Sequence, residues 1–119
     1  MLTELRSDYL PTRGLRAWNS HDLEGIMSHY TPEIVLTSPV AARLLNDPTG
    51  AVKGEMALRN YFKQGLEAYP NLAFELLDVM CGVSSLILYY KNQNGTRTGE
   101  LMELDANLKI TKVVANYRG

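Results

Sequence analysis

The segment from Ala17 to Leu36 constrains the fold of this chain more than any other, because it ends one helix, begins a second and opens a strand. In the second helix, apolar residues recur at i, i+3, i+4 and i+7, which predicts a short amphipathic helix. These residues are Leu23, Ile26, Met27 and Tyr30. Thr31-Pro32 is predicted to end that helix, and the branched residues from Glu33 to Ser38 predict a strand that closes at Pro39.

Two further helices flank this segment. Met1 to Asn19 carries an apolar stripe, interrupted by Pro11, which either kinks the helix or lies in the first turn of a new one. Ser20 or Asp22 can cap the helix that follows. Glu55 to Tyr69 is the clearest helix of the chain, with apolar side chains at helical spacing and a proline just after its end.

The second half of the chain changes to a period of two, which is typical of half-buried strands. The predicted strands are Leu72–Met80, Val83–Gln93, Thr96–Leu104 and Leu108–Tyr117. Asn94-Gly95 is the strongest hairpin signal, and a turn there predicts that Tyr89 pairs with Glu100. Val40 to Gly54 is predicted to be a long loop. This order predicts an α+β fold with an antiparallel sheet, as a single domain over residues 1–119.

Composition excludes several classes of function. Lys and Arg number 12 against 13 Asp and Glu, so the net charge of -1 argues against a nucleic-acid or polybasic membrane surface. The single cysteine, Cys81, excludes a disulfide framework and is predicted to be a small buried residue at a strand end. His21 and His29 are predicted to be solvated and do not indicate a metal site. Without a signal peptide or membrane-length apolar run, we expect a cytoplasmic protein.

The motifs Trp-Asn-x-His-Asp-Leu-x-x-Ile, Tyr-x-Pro-x-Ile and Leu-Arg-x-Tyr-Phe resemble those of the nuclear-transport-factor-2-like superfamily. Within it, the chain most resembles the SnoaL-like (polyketide-cyclase-like) domains. The resemblance implies a cone-shaped, curved antiparallel sheet wrapped round three helices of the N-terminal half, a fold also called cystatin-like. It also implies a mostly apolar pocket and a homodimer. Members include isomerases, cyclases, dehydratases and non-enzymatic binding domains, so the fold does not imply one activity.

Residue by residue, the resemblance to ketosteroid isomerase is incomplete. Gly14 stands where that enzyme has its oxyanion-hole tyrosine, and Ser38 stands where it has its base. Its third acidic group falls near Glu100. The limonene-epoxide-hydrolase pattern needs an Asp-Arg-Asp relay, and the late aspartates Asp78 and Asp105 do not form one in the sequence. Steroid isomerisation is therefore not expected.

Glu100 is the best catalytic candidate. The predicted register places its side chain on one face of the sheet with Tyr89, Ile87, Met102 and Leu104. A carboxylate on an apolar wall has a raised pKa, which suits general acid or base work. The alternative is that Glu100 is solvated or ion-paired near the end of the hairpin. The residues predicted to line the pocket are Trp18, Tyr30, Ser38, Tyr61, Tyr89, Met102 and Asn116.

Two functions remain open from the sequence. The first is cofactor-free isomerisation, dehydration or cyclisation of a small, mostly apolar organic ligand, with Glu100 as acid or base. The second is a non-catalytic dimeric module that binds a ligand or a partner. The homodimer is predicted to form through the sheet, since a face carrying Leu86, Leu88, Tyr90 and Leu101 would be a large exposed apolar patch.

Overall fold

The structure of the protein, a computed structural model, describes residues 9–118. The part of the predicted first helix from Met1 to Asp8 lies outside the described residues. The helices are α1 (Tyr9–Asn19), α2 (Leu23–Met27), α3 (Pro39–Leu44) and α4 (Glu55–Ala68). The strands are β1 (Tyr30–Thr37), β2 (Ala51–Lys53), β3 (Glu75–Cys81), β4 (Ser85–Lys91), β5 (Arg97–Leu104) and β6 (Ile110–Arg118).

The strands form one six-stranded curved sheet in the order β2-β1-β6-β5-β4-β3. The strands β3 to β6 form an antiparallel meander, and β2 is antiparallel to β1. In contrast, β1 runs parallel to β6, so the first strand of the chain pairs with the last. The helices lie in the N-terminal half, and the predicted α+β class is confirmed.

The junction of α1, α2 and β1 differs slightly from the prediction. The side chain of Asp22 caps α2 by accepting a hydrogen bond from the backbone N–H of Gly25 at 3.1 Å. Pro11 lies in the first turn of α1, where a backbone N–H would have no hydrogen-bond partner within the helix. Pro32 does not precede the strand but lies within it, in the irregular stretch between Tyr30 and Val35 where the pairing of β1 with β6 shifts. A proline is tolerated there because the regular ladder is interrupted.

The predicted loop from Val40 to Gly54 is partly wrong, since it contains α3 and β2. Ser38 caps α3 by accepting from the N–H of Val40 at 3.1 Å, and Pro39 occupies the first turn. Gly50 closes the segment with a φ of 64°, and a Cβ at this position would lie 2.6 Å from the carbonyl oxygen of Ser38. Because glycine has no side chain, it allows the backbone of Ser38 to lie this close to the start of β2.

The β4–β5 hairpin is offset by one residue from the predicted register. The N–H of Asn92 donates to the carbonyl of Thr96, and Gly95 has a φ of 82°, so the loop has one residue more than a two-residue turn. Leu88 therefore pairs with Glu100, not Tyr89. A one-residue shift in register exchanges the two faces of a strand. The side chains of β4 that face inward are therefore those that the predicted register places on the outer face.

This register corrects the predicted dimer surface. Leu86, Leu88 and Tyr90 are buried in the core and are not on an exposed face. The apolar side chains on the outer face form a row across four strands, which we call the outer row. It consists of Met80, Ile87, Leu101 and Val114, which are paired in that order across the sheet.

The core lies between the inner face of the sheet and the helices. Ile34, Leu58 and Val113 are fully buried at its centre. Cys81 is partly buried at the end of β3, packs against this core and is a free thiol. Within residues 9–118, no helix has the length and apolar character needed to cross a membrane.

Candidate functional site

The concave face of the sheet and the helices enclose a cavity with two lobes. The inner lobe, of about 50 Å³, lies among α1, α2 and the middle of the sheet. The outer lobe, of about 130 Å³, lies between α4 and the end of the sheet that carries Ser38 and Tyr117. Both lobes border Glu100 and share aromatic walls made by Trp18, Phe62, Phe74 and Tyr90.

The pairing of β4, β5 and β6 places inward side chains in rows across the cavity wall. Glu100 lies in the central row, between Leu88 and Ala115. The next row toward the outer lobe contains Tyr90, Thr98 and Tyr117. Because Ala115 is small, the wall beside Glu100 leaves room on the side of the outer lobe.

Glu100 is a carboxyl group in an apolar setting. Glu100 is partly buried and lines both lobes. The hydroxyl of Tyr90 donates to Oε1 of Glu100 at 2.7 Å. Burial raises the pKa of the Glu100 carboxyl, and the hydrogen bond from Tyr90 opposes that shift. No described residue donates to Oε2, so this oxygen is left for a ligand.

Four tyrosines surround Glu100. Burial raises the pKa of Tyr30, Tyr61, Tyr90 and Tyr117, and the negative charge of Glu100 adds to the shift in each case. For Tyr117 the result is a pKa of about 12. These hydroxyls therefore keep their protons at neutral pH and act as hydrogen-bond donors.

A second polar group lies in the outer lobe, and we call it the hydroxyl cluster: Ser38, Tyr61 and Tyr117. The side chain of Ser38 is 1% exposed and its hydroxyl donates to that of Tyr117 at 3.3 Å. The nearby Ser38 hydroxyl also lowers the pKa of Tyr61 against the effect of burial. The cluster faces the same lobe as Glu100 but comes from the junction of β1 and α3, from α4 and from β6.

Both histidines are partly buried, so the prediction that they are solvated is wrong. His29 borders the inner lobe, and burial, together with the charges of Lys109 and Arg13, lowers its pKa. Its imidazole is therefore more often neutral than that of an exposed histidine. His21 lies in the turn before α2, and its Nε2 donates to the carbonyl of Leu72 at 3.0 Å.

The structure places most of the predicted pocket residues beside the cavity. Trp18 borders both lobes, Tyr30 and Met102 border the inner lobe, and Ser38 and Tyr61 border the outer lobe.

Two of the predicted pocket residues lie outside the cavity. Tyr89 is on the outer face of β4, where its hydroxyl accepts from Arg97 at 3.3 Å, because the hairpin register differs by one residue. Asn116 is exposed on the outer face of β6, and its amide donates to the carbonyl oxygens of Gly99 and Val114.

Sequence reasoning missed Tyr90, Tyr117 and His29 as cavity residues. The signal for Tyr90 was the alternation of β4, which places it on the inner face once the hairpin loop is given its third residue. Tyr117 follows from the alternation of β6, since it shares a face with Ala115 and Val113. Within residues 9–118, no three His, Cys, Asp or Glu side chains come together as a metal site.

Comparison with solved structures places this fold among known proteins. A SnoaL-like protein of unknown function from Burkholderia thailandensis is 28% identical, with a TM-score of 0.89 over 92% of both chains. An epoxide hydrolase/cyclase-like enzyme, SalBIII, described with pyran ring formation in salinomycin, is 18% identical, with a TM-score of 0.76 over 99% of this chain and 95% of that one. An NTF2-like protein of unknown function from Cytophaga hutchinsonii is 15% identical, with a TM-score of 0.70 over 99% and 95%.

Among curated proteins, none matches this chain significantly. At the level of sequence families, residues 12–104 match the profile of the SnoaL-like domain. That match covers most of the chain, from α1 to the end of β5. The chain therefore belongs to the family of SnoaL-like domains.

Proposed function

We propose that the protein binds a small, mostly apolar organic molecule in the two-lobed cavity and exchanges protons with it through Glu100. One observation carries the proposal: a carboxyl group lies among apolar and aromatic walls with a single hydrogen bond, which comes from Tyr90. Burial makes the ionised Glu100 a stronger base, and the protonated form a better-populated acid, than a solvated glutamate. The groups that the scheme needs all come from the chain itself.

The chemistry follows from the position of Glu100 between the two lobes. Its carboxylate takes a proton from the carbon next to a ligand carbonyl, and the C–H electron pair forms a C=C bond. The carbonyl oxygen becomes an enolate, which a neighbouring tyrosine hydroxyl stabilises by donating a hydrogen bond. The protonated Glu100 then returns its proton to the same or another carbon, which gives exchange or isomerisation. Return to a leaving hydroxyl instead gives dehydration.

The rival function is a non-catalytic ligand-binding or accessory module. Gly14 carries no side-chain donor where ketosteroid isomerase has its tyrosine, and Ser38 is held in a structural cap. One feature supports the enzyme over this module. The cavity is open beside Glu100 and is not filled by Trp18, Met102 and the tyrosines.

Exchange of ketone α-protons tests the proposal directly. Acetophenone and 2-tetralone, each in D₂O with the protein, are followed by proton NMR for loss of the α-proton signal. We expect the protein to accelerate exchange of at least one ketone, and Glu100→Gln to lower that acceleration by about 10²–10⁴-fold. The amide is close in shape and still accepts from Tyr90, but it does not take up the proton.

Glu103→Gln is the matched control, because Glu103 lies on the outer face of the same strand and pairs with Lys112 at 3.7 Å. It is expected to leave exchange unchanged. Exchange no faster than in buffer, or equally fast in Glu100→Gln, would remove the acid–base proposal and leave the binding module.

We also propose that two copies associate through the outer row. Met80, Ile87 and Leu101 are 55%, 38% and 38% exposed, and polar side chains border the row on both sides. An apolar patch with a polar border is typical of a protein–protein interface.

Light scattering at micromolar concentration tests this association. The wild-type protein is expected to have about twice the 13.3 kDa mass of one chain. Leu101→Glu is expected to give the mass of one chain, because association would bury its charge. Leu45→Glu is the control, as Leu45 is 43% exposed but lies after α3, away from the sheet face. A wild-type protein with the mass of one chain would contradict the proposal.

A further inference from the structure

The size of the two lobes limits what the cavity holds. An apolar cavity of about 150 Å³ accommodates a benzene molecule. The outer lobe, at about 130 Å³, is close to that size, whereas the inner lobe, at about 50 Å³, holds only a group of a few atoms. One ring therefore fits the outer lobe, and no ring fits the inner one.

The aromatic walls between the lobes prevent a larger ligand from spanning both. The rings of Trp18 and Phe62 are 4.8 Å apart, those of Trp18 and Phe74 are 5.6 Å apart, and those of Phe74 and Tyr90 are 4.6 Å apart. These side chains come from α1, α4, β4 and the segment before β3, so moving one disturbs several elements. A fused two-ring compound would have to displace a packed aromatic side chain.

The hydroxyl cluster gives the outer lobe an oriented hydrogen-bond donor. The oxygen of Ser38 accepts from the N–H of Val40, and its proton is donated to Tyr117. The Tyr117 oxygen is therefore the acceptor of that bond, and the O–H of Tyr117 is not used in it. Among the described residues, no hydrogen bond has the Tyr117 hydroxyl as its donor. That O–H is available to a ligand oxygen in the outer lobe.

We infer that the ligand is a ketone with a single ring, or of that volume, whose carbonyl oxygen accepts a hydrogen bond from Tyr117 in the outer lobe. This inference rests on the proposed function, because it places the carbon beside that carbonyl toward Glu100. The inner lobe then receives no more than a small substituent. Compounds with two or more fused rings exceed the volume of the outer lobe and are expected to bind more weakly.

Three probes separate size from polarity. Acetophenone has one ring and a carbonyl, α-methylstyrene replaces the carbonyl oxygen by a CH₂ group, and 2-acetylnaphthalene adds a ring. Binding is measured from amide chemical-shift changes in ¹H–¹⁵N NMR titrations. We expect 2-acetylnaphthalene to bind at least about tenfold more weakly than acetophenone, because it must displace a wall side chain.

The variant Tyr117→Phe tests the hydrogen bond. It is expected to weaken the binding of acetophenone by about three- to tenfold and to leave the binding of α-methylstyrene unchanged, since only the ketone accepts the hydrogen bond. Tyr89→Phe is the matched control, because its hydroxyl lies on the outer face and contacts Arg97. It should leave all three affinities unchanged.

The outcomes distinguish this inference from the proposed function. Equal or tighter binding of 2-acetylnaphthalene, or an equal effect of Tyr117→Phe on acetophenone and α-methylstyrene, would overturn the inference. Glu100-dependent exchange of 2-tetralone, without binding of acetophenone, would keep the proposed chemistry and overturn the inference. Binding of acetophenone with the expected selectivity, but without exchange, would keep the ligand class and remove the chemistry. The size comparison uses the wild-type protein, so it does not depend on any variant folding.

Discussion

Phe62→Ala is expected to lower the free energy of unfolding by about 3–5 kcal/mol, the range for an aromatic residue removed from a packed core. Phe62 is 5% exposed and borders both lobes of the cavity. Its ring contacts those of Trp18, Tyr30 and Tyr61 at centroid distances of 4.8, 5.7 and 5.9 Å. Alanine removes all of these contacts and joins empty volume to a cavity that already exists.

Urea unfolding followed by circular dichroism measures this change. Phe62→Leu should be less destabilising than Phe62→Ala. Its expected loss of unfolding free energy is about 1–2 kcal/mol, because leucine keeps most of the apolar volume. Met56→Ala on the same helix is the control: Met56 is 77% exposed, and the expected change stays within about 0.5 kcal/mol. A loss below about 1 kcal/mol for Phe62→Ala would mean that α4 collapses onto the sheet and that the lobes are not held open by the aromatic walls.

Glu100→Gln is expected to stabilise the folded protein relative to wild type, by an amount that grows as the pH rises from the ordinary pKa of a glutamate through the raised pKa of Glu100. Burial raises the pKa of Glu100 in the folded state above its ordinary value of 4.5. Between those two pKa values, the folded state holds the proton more tightly than the unfolded state, so wild-type stability falls as the pH rises. Above the raised pKa, this loss of wild-type stability is complete and does not change further with pH. Glutamine carries no proton to lose and is free of this effect.

Chemical denaturation at several pH values measures the difference between the two proteins. His29 has a lowered pKa, so its own contribution to stability rises with pH, and only the difference between variant and wild type isolates Glu100. We expect the gain above the raised pKa to exceed the roughly 0.5 kcal/mol typical of surface substitutions. Glu103→Gln, at an exposed carboxylate on the outer face of the same strand, is the control. A difference that is flat with pH would contradict a buried, ionising Glu100.

The order of the main elements was predictable because their signals are local. The apolar spacing of α4 and the alternation of β5 require no knowledge of distant residues. Glu100 reaches the inner face for the same reason, since it alternates with Met102 and Leu104 within one strand. The short helix α3 also has a local signal, a serine cap followed by proline in the first turn, although the same proline predicts the end of a strand.

The partners of Glu100 were not predictable from the Asn-Gly signal alone. The side chain of Asn92 accepts from the N–H groups of Asn94 and Thr96, which favours the longer loop over a two-residue turn. That single extra residue replaces Tyr89 by Tyr90 beside the carboxylate. The hydroxyl cluster was also beyond local reasoning, because Ser38 and Tyr117 meet only through the pairing of β1 with β6.

The parallel pairing of β1 with β6 has a consequence for how the protein folds. The meander from β3 to β6 joins neighbours along the chain, so it can form early from local contacts. By contrast, Ser38 and Tyr117 are 79 residues apart in sequence, and closing such a long loop carries a large entropy loss before any contact forms. We therefore expect β1 to join the sheet late in folding. The ligand cavity, which needs both strands, would be completed in that last step, so ligand binding would report on the fully folded protein.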